Sequence, residues 1–172
     1  MAVYGCIWRG RYAESMGRLT FAGSEQRLVR KVVAYVVDQE RLLVFTHDDV
    51  PLEIAGVQVP AGSIEADETP ELAVMREVFE ETGLRTQIVR DLGVERYDMW
   101  PSKPERHERH FFHLALVDDV VPERWSAGEE SPSDGGNPQR WTCWWLPVQN
   151  GHVLCAGFGA RLGEIRLPRA VA

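Results

Sequence analysis

The sequence predicts an α/β sandwich, a fold in which helices cover the faces of a β-sheet. A β-branched, mostly apolar run from Val29 to Val37 has the composition of a strand that is buried on both faces. The clearest helix signal follows at residues 70–82, and further strand-like segments come after it. Strands that precede and follow a central helix favour a sheet with helices packed on it.

The length and composition are typical of one globular domain. Of the 172 residues, 44% are hydrophobic and 26% are charged, which excludes a disordered or collagen-like chain. We therefore expect one domain over residues 1–172, with an N-terminal extension at 1–28. Pro, Gly, Ser and charged residues accumulate at 122–140, where we expect a mobile loop.

The sequence carries no recognisable membrane or export signal. No apolar run approaches the ~20 residues of a membrane helix, so we expect no membrane partner. The first ten residues also lack the sustained apolar stretch of a secretory signal. The three cysteines form no Cys-x-x-Cys pair, which argues against a disulfide framework and fits a reducing compartment. These features predict a cytoplasmic protein.

The remaining strands are assigned in order along the chain. The turn at 38–40 is expected to join the first strand to a second one, which makes a hairpin. Period-2 patterns and β-branched or aromatic residues mark the others. The predicted segments are Arg41–Thr46, Gly56–Pro60, Thr86–Leu92, Glu108–Val117 and Trp141–Leu146, and a closing helix is expected at Val153–Ile165 despite its glycines.

The central helix has clear predicted ends. Thr69 is placed to cap its N-terminus, and Pro70 suits the first helical position because its missing N–H would be unpaired there in any case. Gly83 can adopt the left-handed conformation that ends a helix. The helix is therefore expected to span residues 70–82.

Two opposite faces of this helix differ in character. At 100° per residue, three carboxylates share an arc of about 100°, and three apolar side chains lie on the other side. The carboxylates belong to Glu77, Glu80 and Glu81, and the apolar side chains to Leu72, Met75 and Phe79. We expect the apolar face to anchor the helix and the acidic face to point outward or into a cleft.

The clustered carboxylates predict a cation site. Like charges within one helical turn repel one another unless a cation lies among them. Oxygen ligands without His or Cys suit Mg²⁺, with Mn²⁺ as a near substitute. The net charge of −7 requires such a cation if the substrate is an anion, and it disfavours a nucleic acid as a partner.

A fixed pattern of residues surrounds these carboxylates. It reads Gly, five residues, Glu, seven residues, Arg-Glu-apolar-x-Glu-Glu-x-Gly-apolar, and it occupies residues 62–84. This pattern resembles the signature of the Nudix hydrolase family, and every defined position is matched. The signature positions are Gly62, Glu68, Arg76, Glu77, Val78, Glu80, Glu81, Gly83 and Leu84.

The resemblance implies a MutT-like Nudix fold, which is an α/β/α sandwich around a mixed sheet. It also implies hydrolysis of a pyrophosphate linkage in a small molecule, a nucleoside diphosphate joined to a group X, such as ADP-ribose, or a nucleoside triphosphate. Glu77, Glu80 and Glu81 match the residues that hold divalent metal in the family, and the carbonyl of Ala61 matches a further ligand. Glu68 and Arg76, with Gly62 and Gly83, match the structural brace of the motif.

Residues outside the signature complete the predicted site. Glu129 and Glu130, in the expected loop, are candidate general bases, and Glu77 is the alternative. Trp100 is a candidate platform for stacking a base, with a core position as the competing interpretation. Arg106 and Arg109 are candidates for binding terminal phosphates, with solvation of a strand edge as the competing interpretation.

Two further questions stay open from the sequence. One is whether the domain is an enzyme or a non-catalytic Nudix domain that senses nucleotides or binds a protein. The other is whether it forms a homodimer, since no sequence feature identifies an interface.

Overall fold

The computed structural model describes residues 26–118, 120–129 and 138–167. Within these residues no helix has the length and hydrophobicity that crossing a bilayer requires. The strands are β1 (Arg27–Asp38), β2 (Arg41–His47), β3 (Ala61–Ser63), β4 (Thr86–Asp98), β5 (Glu105–Leu116), β6 (Arg124–Glu129) and β7 (Gln139–Pro147). The helices are α1 (Leu52–Ala55), α2 (Pro70–Thr82) and two 3₁₀ helices, Val148–Val153 and Leu162–Glu164.

The strands form a mixed sheet in the order β4-β5-β1-β2-β7-β6. β1 and β5 run parallel, and the other pairs are antiparallel. The end of β1 pairs with β2, whereas its middle pairs with β3 at residues 31–33. The short strand β3 therefore lies beside the centre of the sheet, immediately before the chain enters α2.

The hydrophobic core lies on both faces of the sheet. β1 is fully buried from Val32 to Val36, as predicted. Val32 packs on the face that α2 covers, and Val33 packs on the opposite face. That opposite face is covered by apolar residues of the C-terminal segment, among them Phe158 and Leu162.

The predicted closing helix at Val153–Ile165 is wrong. The segment consists of turns and the 3₁₀ helix Leu162–Glu164. Ala156 and Gly157 both have positive φ, at 50° and 76°, and no α-helix continues through such residues. The second layer of the sandwich is therefore an irregular segment rather than an α-helix.

Further predicted boundaries also change, and the strand predicted at Thr86–Leu92 continues to Asp98. Residues 124–129 of the expected loop at 122–140 form strand β6, because Trp125 and Ala127 alternate with polar residues and pack against the core. Residues 130–137 lie outside the described part of the chain. The expected strand at Gly56–Pro60 is reduced to isolated bridges, and β3 follows it. The expected extension at 1–28 overlaps β1 by two residues, and its first 25 residues lie outside the described part.

The predicted ends of α2 are confirmed. The Thr69 hydroxyl accepts a hydrogen bond from the Leu72 N–H at 3.3 Å. Gly83 has φ of 77°, and its N–H donates to the carbonyl of Phe79. The left-handed conformation at this position disfavours any residue with a Cβ.

The predicted buried face of α2 is wrong. Leu72 and Phe79 are more than half exposed, whereas Ala73, Val74 and Val78 are fully buried. The helix turns its acidic side toward β3, where its carboxylates find hydrogen-bond partners. These polar contacts and the small residues beside them determine the orientation that the apolar periodicity alone does not predict.

Candidate active site

Arg76 lies at the centre of the candidate site and contacts three carboxylates. Its guanidinium donates two hydrogen bonds to Glu68, at 2.9 and 2.8 Å, and one each to Glu77 and Glu80, both at 2.9 Å. A further bond reaches the carbonyl of Ser63 at 2.9 Å. These contacts fasten the loop that precedes α2 to the helix itself. The guanidinium beside Glu68 also holds the pKa of that carboxyl below its usual range.

The Glu77 carboxylate is much more enclosed than that of Glu80. The Glu77 side chain is 13% exposed and lies directly against Gly62. A Cβ at Gly62 would come within 1.9 Å of the Glu77 carboxyl carbon, so any other residue there would displace the Glu77 carboxylate from its position. Burial raises the pKa of Glu77 above its usual value, although Arg76 acts in the opposite direction. The ionised Glu77 carboxylate therefore lowers the stability of the folded protein, and a cation bound nearby would reduce this effect.

Glu81 connects the end of α2 to β3. The Ala61 N–H donates to a Glu81 oxygen at 2.9 Å. Ala61 pairs with Val33 at a position of the ladder where the backbone groups point away from β1, since the flanking Pro60 carbonyl accepts from Ala34. The Ala61 carbonyl therefore points to the same side as its N–H, toward the glutamates.

The donor set fits a hard divalent cation. Glu77, Glu80, Glu81 and the Ala61 carbonyl supply oxygen atoms only, which is the chemistry that Mg²⁺ prefers. In the part of the chain that the structure describes, no three acidic, imidazole or thiol side chains converge on one point. The reason is that Arg76 holds Glu77 and Glu80, while Ala61 holds Glu81. Glu80 is 48% exposed, so its carboxylate is the one with room to turn away from Arg76.

Two tryptophans that the sequence analysis did not connect with the site hold the end of α2. The Trp141 indole N–H donates to the Glu81 carbonyl at 2.6 Å, and that of Trp125 donates to the Thr82 carbonyl at 3.0 Å. These carbonyls belong to the last turn, where a helix has no partners of its own for them. A buried indole N–H needs a hydrogen-bond acceptor. A tryptophan on a buried strand, such as Trp141, is therefore expected to bind a backbone carbonyl in addition to packing in the core.

The predicted substrate residues are not brought together. Trp100 is 60% exposed in the turn between β4 and β5, so it does not fill the core. Arg106 is exposed and donates to the Gln26 side chain at 2.7 Å. Arg109 is buried on the other face of β5, stacked over Tyr97 at 4.8 Å. Glu130 lies outside the described residues.

We expect the substitution Glu77→Gln to stabilise the metal-free protein. Because the folded-state pKa of Glu77 is raised, its ionised form is disfavoured in the folded protein relative to the unfolded chain. Glutamine has the same shape and no charge, so the free energy of unfolding in EDTA at pH 7 is expected to rise, within the roughly 0.5–2 kcal/mol typical of a stabilising substitution. Urea unfolding measures this change.

The pH dependence provides a check on the cause. As the pH falls toward the usual glutamate pKa, the wild-type carboxyl becomes protonated in the folded state, and the advantage of glutamine is expected to shrink. A variant that is less stable than the wild type at pH 7 in EDTA would contradict the assigned electrostatic cost.

Comparison with known proteins assigns the sequence to a family. A family model described as "NUDIX domain" matches residues 27–153. An RNA pyrophosphohydrolase of Photobacterium profundum is 34% identical over 104 residues, which is 54% of this chain and 58% of that protein. The chain thus spans little more than half the length of the curated relatives that it matches.

Solved structures with low sequence identity share the fold. The MutT NUDIX hydrolase of Burkholderia pseudomallei has a TM-score of 0.61 at 17% identity and covers 82% of this chain and all of its own. The MutT protein of Methanosarcina mazei has a TM-score of 0.58 at 17% identity, over 83% of this chain and 95% of its own. The predicted mixed-sheet α/β fold is confirmed.

Proposed function

The chain belongs to the NUDIX domain family, and on that premise we propose that it is a Mg²⁺-dependent hydrolase that cleaves a pyrophosphate linkage in a nucleotide derivative. The observation that carries the proposal is the arrangement around Arg76. That residue fixes Glu77 and Glu80 on α2 beside the Ala61 backbone and Glu81. Glu77 and Glu81 contact β3, Glu80 shares Arg76 with Glu77, and all three supply oxygen atoms of the kind that Mg²⁺ prefers, which supports the proposal.

The roles of the individual residues follow from their surroundings. Glu77, Glu80, Glu81 and the Ala61 carbonyl would hold the metal. When bound, Mg²⁺ neutralises phosphate oxygens and lowers the pKa of water. Arg76 and Glu68 keep the loop and the helix in register, and Gly62 provides the space in which the Glu77 carboxylate lies.

The reaction also needs a group that accepts a proton from the attacking water. Glu77 is one candidate, because it lies in the acidic group of α2 that would hold the metal and the attacking water. Glu130 remains the other, as the sequence predicts. The pH profiles of kcat for Glu77→Gln and Glu130→Gln distinguish the two candidates. Only the variant that lacks the general base is expected to lose the rise of kcat with pH that deprotonation of the base produces.

Two substrate classes are consistent with the proposal. The first is a small nucleoside diphosphate linked to a group X, or a nucleoside triphosphate. The second is RNA with a pyrophosphate linkage at its end, and the name of the Photobacterium relative favours it. The net charge of −7 argues against broad contact with an RNA backbone, so recognition of the terminal phosphates alone suits this chain better.

We expect activity that depends on added Mg²⁺ and disappears with EDTA. The measurement is product formation from a panel that contains a nucleoside triphosphate, ADP-ribose, a dinucleoside tetraphosphate and a short RNA with a 5′-triphosphate. Restoration by excess Mg²⁺ is the control for the effect of the chelator. Tight binding of a panel member without turnover would instead favour the non-catalytic sensor, and turnover that is insensitive to EDTA would reject the metal site.

A further inference from the structure

Lys31 is a partly buried lysine in the middle of β1, next to the candidate site. It pairs in register with Ser63 of β3 on one side and with Arg109 of β5 on the other. Its ammonium donates to the Ser63 hydroxyl at 3.2 Å. Lys31 and Arg109 therefore lie side by side on the face of the sheet opposite to α2.

Lys31 differs from most cations that the structure describes, because they form ion pairs with carboxylates. Many of the described arginines form ion pairs with carboxylates. Nitrogen–oxygen distances below 3.2 Å are found for Arg27, Arg41, Arg76, Arg85, Arg96 and Arg161. Within residues 26–118, 120–129 and 138–167, no carboxylate lies at ion-pair distance from Lys31. Burial and the neighbouring Arg109 charge lower the pKa of Lys31. A cation in such a position is stabilised by an anion that binds beside it.

Lys31 is also close to the glutamates, across the edge formed by β3. Ser63, which accepts its hydrogen bond, follows Gly62, and Gly62 touches the Glu77 carboxylate. The charges of Lys31 and Glu77 influence each other's pKa. Lys31 therefore contacts the residue of β3 that directly follows the one against which the Glu77 carboxylate lies.

We propose that Lys31 binds a phosphate of the substrate beyond the linkage that is cleaved, and that this contact selects substrates with three or more consecutive phosphates over nucleotide sugars. The inference rests on the proposed function. A terminal phosphate carries more negative charge than the bridging phosphates of a nucleotide sugar, and two adjacent cations match that charge. Arg109 contributes its positive charge from the neighbouring position on β5, while its guanidinium stays on Tyr97 and on the Ala156 carbonyl.

The first test separates recognition from catalysis. We expect Lys31→Met to raise KM for a nucleoside triphosphate by about tenfold or more with little change in kcat, because a charge-assisted contact is lost. KM for ADP-ribose is expected to change by less than about threefold, and Lys31→Arg is expected to restore much of the loss. Equal effects on the two substrates, or no effect on either, would overturn the proposal.

The sequence offers a matched control, because Lys31 and Lys103 are its only two lysines. Lys103 is exposed in the turn between β4 and β5. The substitution Lys103→Met removes the same charge from a position that acts on Lys31 only through space, and we expect it to change both KM values by less than about twofold. A change as large as that of Lys31→Met would show a general charge effect and would reject a specific contact.

The second test needs neither turnover nor a variant. Pyridoxal phosphate with borohydride labels accessible lysines of the wild-type protein, and peptide mass spectrometry reads Lys31 and Lys103 separately. In EDTA, inorganic tripolyphosphate is expected to protect Lys31 but not Lys103, whereas sulfate at equal ionic strength protects neither. Protection by both anions, or by neither, would reject a phosphate-chain site at Lys31. Because this result is independent of hydrolysis, it stays informative if the proposed activity fails.

Discussion

Replacing Glu80 with glutamine is expected to lower kcat at least about a thousandfold while leaving the fold intact, because a metal ligand is lost from a half-exposed position. The Glu80 side chain is 48% exposed, and its described partner is Arg76 at i−4. Such helical pairs contribute only about 0.5 kcal/mol, so the thermal midpoint is expected to move little. A titration of activity with Mg²⁺, next to thermal unfolding of the same preparation, measures both quantities.

Glu71 provides the matched control for this substitution. It lies in the first turn of the same helix, is exposed and has no contact with the three helix carboxylates. Glu71→Gln makes the same chemical change and is expected to keep activity within about twofold of the wild type. If Glu80→Gln retains activity like that of Glu71→Gln, the assignment of Glu80 as a metal ligand is wrong.

Replacing Arg76 with methionine is expected to cause the largest loss of stability of any single change considered. The substitution removes hydrogen bonds to Glu68, Glu77 and Glu80, of which the first two are 13% exposed. Breaking a buried ion pair typically costs 3–5 kcal/mol, and because Arg76 is one-quarter exposed we expect about 2–4 kcal/mol here. Urea unfolding in EDTA gives the difference in the free energy of unfolding.

The effect of Arg76→Met is expected to depend on pH in a defined direction. Arg76 lowers the pKa of Glu68, so the stability from this pair is present above the usual glutamate pKa and is lost as the pH falls through the folded-state value. The difference between the variant and the wild type is therefore expected to shrink in acid. Arg85→Met breaks an exposed pair with Asp118 and is the control. A loss for Arg76→Met no larger than that for Arg85→Met would contradict its role as the brace.

The parts of this molecule that the sequence predicts well depend on neighbouring residues. The ends of α2 follow from Thr69, Pro70 and Gly83, each of which acts within one turn of its own position. The grouping of the glutamates follows from helical spacing alone. The contact between Arg76 and Glu68 is likewise local, because only Thr69 and the first turns of α2 lie between them.

The parts that the sequence does not predict depend on residues far apart in the chain. The buried face of α2 is set by the Ala61 backbone, which holds Glu81 from 20 residues away. The pairing of β1 with β5 places Lys31 beside Arg109, which lies 78 residues later in the chain. The sequence alone does not show that these two cations are neighbours. Strand β6 has a polar composition that hides its alternation, and only pairing with β7 makes it a strand.

The tryptophan contacts to the end of α2 have a consequence for the order in which the protein is made. Trp125 and Trp141 reach that helix from 43 and 60 residues further along the chain. During synthesis, which proceeds from the N-terminus, every signature glutamate is present before either indole has been added. The indole hydrogen bonds to the last turn of α2 form only after the final strand has been synthesised. A nascent chain therefore acquires its complete acidic site late, together with the pairing of β6 and β7.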